Sequence, residues 1–294
     1  MDTTMILAPA IAMVIGLVAG VVLFARSEPG APARRRAALV PLAMLVAFVT
    51  VQVIRFGPPG FTPTELWEAS LDERIVTTVV ILGLGLSLVT WLTRNRLTWA
   101  APLGFAIAAA LGVAWLFARL GAKGTIDWMR AGEYAILAGI VAGSWAWSVG
   151  RVAATPSAFR SVVLAGLGIA GVIGVLATTG HAKLSEVSAS VALLTLGLFL
   201  ATLVRRSVAG AGAIGAFVGG FGAFVLAIGV FYETPWWAAA LAVVGVPLAG
   251  VVDMAIKNHT KAWSRFILTS TVALAPVLPA IVILALKAKE DSGY

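Results

Sequence analysis

Apolar runs of about 20 residues recur from one end of this chain to the other, and that recurrence leaves few folds open. They fall at residues 5–25, 37–56, 74–93, 97–118, 133–150, 161–180, 187–204, 208–232, 236–256 and 266–287. A helix of such length, rising 1.5 Å per residue, crosses a hydrocarbon core of about 30 Å. Lipid offers backbone amides no partner, so helix is the state in which each run satisfies itself. Strands of a membrane barrel would alternate polar and apolar residues over about 10 positions, and these runs do not. With 60% of its 294 residues apolar and 12% charged, the chain is too poor in polar material for a water-soluble domain of this length. The expected fold is all-α, a polytopic transmembrane helix bundle of about ten spans forming one domain over residues 1–294. Ten spans also divide into halves, 1–150 and 151–294, which an odd number per half would make inverted repeats. Pro247 would then mirror Pro102, but Pro276 and Pro279 have no counterparts in the fifth run.

The charges sort by side. Thirteen Lys and Arg, among them Arg34 to Arg36, Arg160, Arg205, Arg206, Lys257 and Arg265, share one side with only Glu28 and Asp253. The other side has eight basic residues against eleven acids. Basic loops stay in the cytoplasm, so the first side is expected to be cytoplasmic and both termini to lie outside, in a multi-pass protein of the cell (inner) membrane. The first run is preceded by Asp2 and followed by the basic cluster, which suits a retained span rather than a cleaved signal. The excess of basic residues therefore records orientation, and no nucleic-acid partner is implied. Tryptophans support these boundaries, because eight of the ten fall at or near run ends, where indole prefers the headgroup level. Trp145 and Trp147 lie deeper.

Residues 208–232 carry seven glycines and no Lys or Arg. Gly215 and Gly219 lie one turn apart, and Ala211, Ala223 and Ala227 extend the same ridge, along which another helix approaches at backbone distance. The other spans are expected to pack around this one. Gly166, Gly168, Gly171 and Gly174 make the sixth run a second such surface, and the two are expected to touch. Glycine-rich faces of this kind also serve homo-oligomers or protein partners, and the surrounding partner is membrane lipid.

Prolines interrupt the last two runs. Pro247, Pro276 and Pro279 lie mid-span, and each leaves the carbonyl four residues earlier, Val243, Val272 and Ala275, without its helical donor. Freed backbone is tolerated in a membrane only where protein or a wet cavity covers it. A candidate substrate or coupling site follows: Pro247, Pro276 and Pro279, Asp253 as the one carboxylate inside the boundaries of a run (Glu133 only opens the fifth), and Ser144 and Ser148 one turn apart on the fifth run. Lys257 at i+4 is the expected ion partner of Asp253. A second candidate lies at the outer rim, where Glu65, Glu68, Asp72 and Glu73 cluster in the longest loop and His181 and Glu186 stand at the head of the seventh span.

Other chemistry is limited by what the chain lacks. There is no cysteine, and the two histidines, His181 and His259, are separated by the bilayer, so they cannot jointly ligate haem or a metal. Cofactors are expected to be none, and no catalytic motif is present. Three functions remain in view. One is a carrier for a neutral, apolar or lipid-like solute with its site among spans eight to ten. The second is a haem-free anchor or quinone-interacting subunit of a larger membrane complex. The third, an enzyme acting on lipid at the outer rim, is the least favoured.

Overall fold

The computed structural model describes residues 3–24, 31–56, 71–93, 100–153, 159–205, 208, 210–256 and 261–291. Every element there is helical: α1 (Thr3–Leu23), α2 (Ala31–Phe56), α3 (Leu71–Leu92), α4 (Ala100–Ala122), α5 (Trp128–Ala153), α6 (Phe159–Thr178), α7 (Ala182–Val204), α8 (Ala211–Phe231), α9 (Trp236–Ala255), α10 (Ala262–Leu274) and α11 (Val277–Asp291). Among the described residues, nine segments are long and apolar enough to cross a membrane, the last running through α10 and α11 together. α1 adds a shorter apolar segment, Ala10–Leu23. The chain is thus a multi-span helical membrane protein, with the expected tenth span made of two helices.

The bundle is built around α8. Every residue from Ala213 to Gly229 is buried, and the helix packs against α2 to α7 and α9. The small-residue composition explains how one helix meets so many neighbours. A Cβ added at Gly215 would lie 2.7 Å from Val149 Cβ, and one at Gly219 would lie 2.7 Å from Trp145 Cγ; each is too close for a side chain. Gly220 meets Leu82 and Ala109, while Gly222 meets Val172 of α6, so the sixth and eighth spans touch. The ridge faces of α8 are filled from within the chain.

A second close pair runs parallel. Gly16 and Gly20 of α1 sit against Leu194 and Ala201 of α7, and Gly197 of α7 sits against Met13 and Leu17. Arg205, just past α7, donates from Nε to Val21 O at 3.0 Å at the same end of this pair. Two odd-numbered spans thus point the same way, as strict alternation requires. At the opposite face, Arg55 at the end of α2 meets Glu186 at the start of α7 at 2.6 Å.

Turn geometry fixes the connections. Gly180 (φ +81°) and Gly210 (φ +67°) occupy the left-handed region, where a side chain is strained. Gly210 lies immediately before α8, and the Ile214 N–H returns to its carbonyl at 3.0 Å.

Candidate functional site: a buried ion cluster beside two broken helices

The break at Pro247 is served from another helix. Trp145 of α5, fully buried, donates its indole Nε1–H to Val243 O at 2.9 Å. This is the carbonyl that the proline deprives of its helical donor. Room for the indole comes from three glycines: Gly219 of α8 faces its Cγ, Gly215 its backbone carbonyl, and Gly168 of α6 its outer ring atoms. The deep tryptophan and the glycine-rich spans therefore belong to one arrangement.

The second break divides the tenth span. α10 ends at Leu274 and α11 begins at Val277, with Pro276 between them. α11 is fixed to α6, because Val277 sits at Gly171 and Ile281 at Gly174. α10 is likewise held along one narrow face. Its buried residues are Arg265, Thr269 and Ala273, a single i, i+4, i+8 stripe. Ala273 meets the α9 backbone at Gly245, where no side chain intervenes. Thr269 bonds within its own helix, to Arg265 O at 2.9 Å. α10 packs on α6 and α9, so α9 stands between it and α8.

At the other end of that stripe lies a charge cluster. Arg160 in the first turn of α6 donates Nη2–H to Asp253 Oδ1 at 2.8 Å. Arg265 in the first turn of α10 donates Nε–H to the same oxygen at 2.6 Å and Nη2–H to Oδ2, a two-point fork. Asp253 is 2% exposed, Arg160 3% and Arg265 7%. Lys257, the expected partner of Asp253, lies outside the described residues; among those described, the carboxylate is held by two arginines from other helices. Bidentate geometry from a planar guanidinium and proximity of three helix ends explain this hold. Arg160 and Arg265 read in the sequence as orientation markers. Three charged residues at run ends converging in space have no signature at short range.

Ser148 also enters this neighbourhood. It is fully buried on α5 against Gly250, one turn from Asp253 on α9, and its Oγ has no hydrogen-bond partner among the described residues. Ser144, a turn away, bonds back to Val141 O at 3.0 Å and is half-buried. The structure thus brings Asp253 and Ser148 together, with Pro247 two turns from Asp253. Pro276 and Pro279 lie at the far end of α10 and in α11, with Pro279 exposed.

The outer-rim residues do not form one cluster with these. His181 is half-buried before α7, with its ring 6.4 Å from that of Tyr232, and Glu186 is engaged by Arg55. Glu65 and Glu68 lie outside the described residues, as do the side chains of Asp72 and Glu73. Beside them, Arg74 is 2% exposed, an unexpected burial for a residue at a span end. Its Nη1–H reaches Leu116 O at 3.3 Å, and its guanidinium lies 5.6 Å from the Trp115 ring centre. Among the described residues no group of three His, Cys, Asp or Glu is placed to hold a metal ion.

No protein-family model, curated protein sequence or solved structure matches this chain.

Proposed function

We propose that the chain is a carrier for a neutral, apolar or lipid-like solute in a cell membrane, with its basic face cytoplasmic and both termini outside. Its moving part is α10, and its fixed part is the bundle around α8. The observation that supports this reading is the divided tenth span: a proline break separates α10 from α11, and α10 is held by one narrow stripe. Rotation about Ala275 and Pro276 would part α10 from α9 without disturbing the glycine contacts of α8. An opening there faces lipid directly, because Ile267, Leu268 and Trp263 of α10 are exposed on the bundle's exterior. That route suits a solute arriving from the bilayer better than one arriving from water.

The test is reconstitution into liposomes with a fluorescent short-chain lipid in both leaflets, followed by a membrane-impermeant quencher outside. A carrier of lipid-like solutes lets the quencher remove clearly more than the outer-leaflet half of the fluorescence. Quenching that stops at half, as in protein-free vesicles, over a set of lipid and sterol analogues would overturn the proposal. Stoichiometric co-purifying subunits together with that result would favour the anchor reading.

A further inference from the structure

We infer that the Arg160–Asp253–Arg265 cluster is a binding site for a phosphate oxyanion, carried on a lipid headgroup or free. Two guanidiniums share one carboxylate, so the cluster holds an excess positive charge while all three side chains are more than nine-tenths buried. No second carboxylate pairs with it among the described residues. Glu28, the only other acid that the charge pattern puts on this side, lies outside the described residues. Arg160 makes the point at atomic scale: Nη2 is committed to Asp253, while Nε of the same planar fork is buried without a partner among the described residues. A buried guanidinium N–H is rarely left unmet.

Helix polarity brings two positive ends and one negative end to the cluster. Arg160 and Arg265 lie in the first turns of α6 and α10, where the free amides already carry positive partial charge, and Asp253 lies in the last turn of α9, at a negative end. Each of the three is on the less favourable end of its own helix, so helix stability does not account for their positions. Two N-termini and two guanidiniums facing one carboxylate form a field suited to an incoming anion. Arginine forks match the oxygens of phosphate in pairs. Depth points to the same ligand. Asp253 is two residues from the end of α9, about 3 Å along the axis, which places the cluster near the level of lipid phosphates. Access lies at the start of α10, where Lys261 to Ser264 are exposed and Arg265 is the first buried residue. The inference concerns binding alone and does not depend on the carrier reading.

The full-length protein in a neutral sugar detergent provides the test. Its unfolding midpoint is followed against inorganic phosphate, phosphatidylglycerol and, as the phosphate-free control, diacylglycerol. A saturable rise with phosphatidylglycerol but not diacylglycerol is expected; an accompanying rise with inorganic phosphate identifies a free oxyanion, and its absence identifies the headgroup. Asp253→Asn removes the competing charge and is expected to lower the half-saturating concentration about tenfold. Arg160→Gln is expected to abolish the response and Arg205→Gln to keep it. If Arg160→Gln does not fold, the Asp253→Asn shift decides. No phosphate-dependent response in the wild type, or an Asp253→Asn response equal to or weaker than wild type, overturns the assignment.

Discussion

Trp145 Nε1 lies 2.9 Å from Val243 O, so an indole on the fifth span replaces the helical donor that Pro247 removes from the ninth. Trp145→Phe keeps most of the ring but leaves the carbonyl unmet, at a cost of about 1–3 kcal/mol. Pro247→Ala restores an amide donor within the helix. Denaturant unfolding in mixed micelles should therefore show Trp145→Phe costing clearly less in the Pro247→Ala background than alone. Equal costs in the two backgrounds would mean that the two residues act independently.

The glycines around that indole allow a comparison with an open site. Gly219→Ala would place a Cβ 2.7 Å from Trp145 Cγ, whereas a Cβ at Gly132 of α5 has nothing within 4 Å. Overpacking at Gly219 is expected to cost about 1–3 kcal/mol. Gly132→Ala should be neutral or stabilising, by up to about 1 kcal/mol, because alanine is the better helix former. Thermal unfolding of the two variants side by side checks both signs.

Ion pairs in the two halves of the bundle should differ sharply in weight. Asp253→Ala strands two buried guanidiniums and is expected to cost about 3–5 kcal/mol. Glu186→Ala removes the partner of Arg55, but the Glu186 side chain is 45% exposed, and the cost should be about 0–1 kcal/mol. Raised ionic strength should weaken the second pair and leave the first nearly unchanged. Comparable losses for the two variants in the same unfolding assay would refute the assigned burial of Asp253.

Glu233 has φ +77° in the turn between α8 and α9, a region that suits glycine better. Glu233→Gly should raise stability by up to about 1 kcal/mol, because the strain relieved exceeds the added freedom of the unfolded chain. A drop in the unfolding midpoint would indicate that the Glu233 side chain contributes more than its backbone costs.

The sequence made some of this arrangement legible and hid the rest for definable reasons. Span positions were readable because lipid imposes length and polarity on each run separately. The central place of α8 was readable as well, since a ridge of glycine and alanine has a use only where helices approach closely. The orphaned Val243 carbonyl followed from Pro247 alone, but its donor did not, because Trp145 lies 98 residues away and meets it only through packing. The arginine partners of Asp253 were hidden for the same reason: Arg160 and Arg265 become its neighbours only when three helix ends meet. Arg74, the first residue of the third run, is buried beside Trp115, a burial that its place at a run end does not signal.

The proposed account depends most on α10 moving as an arm while α8 stays fixed. The absence of native cysteine allows spin labels at Leu268 of α10 and Ile140 of α5, both exposed on the bundle's exterior, with no background labelling. Pulsed dipolar spectroscopy in lipid nanodiscs then reads the distance between them. The account predicts two distance populations, with the more open one enriched when Asp253→Asn weakens the hold on Arg265. One narrow distance, the same in wild type and Asp253→Asn, would contradict it.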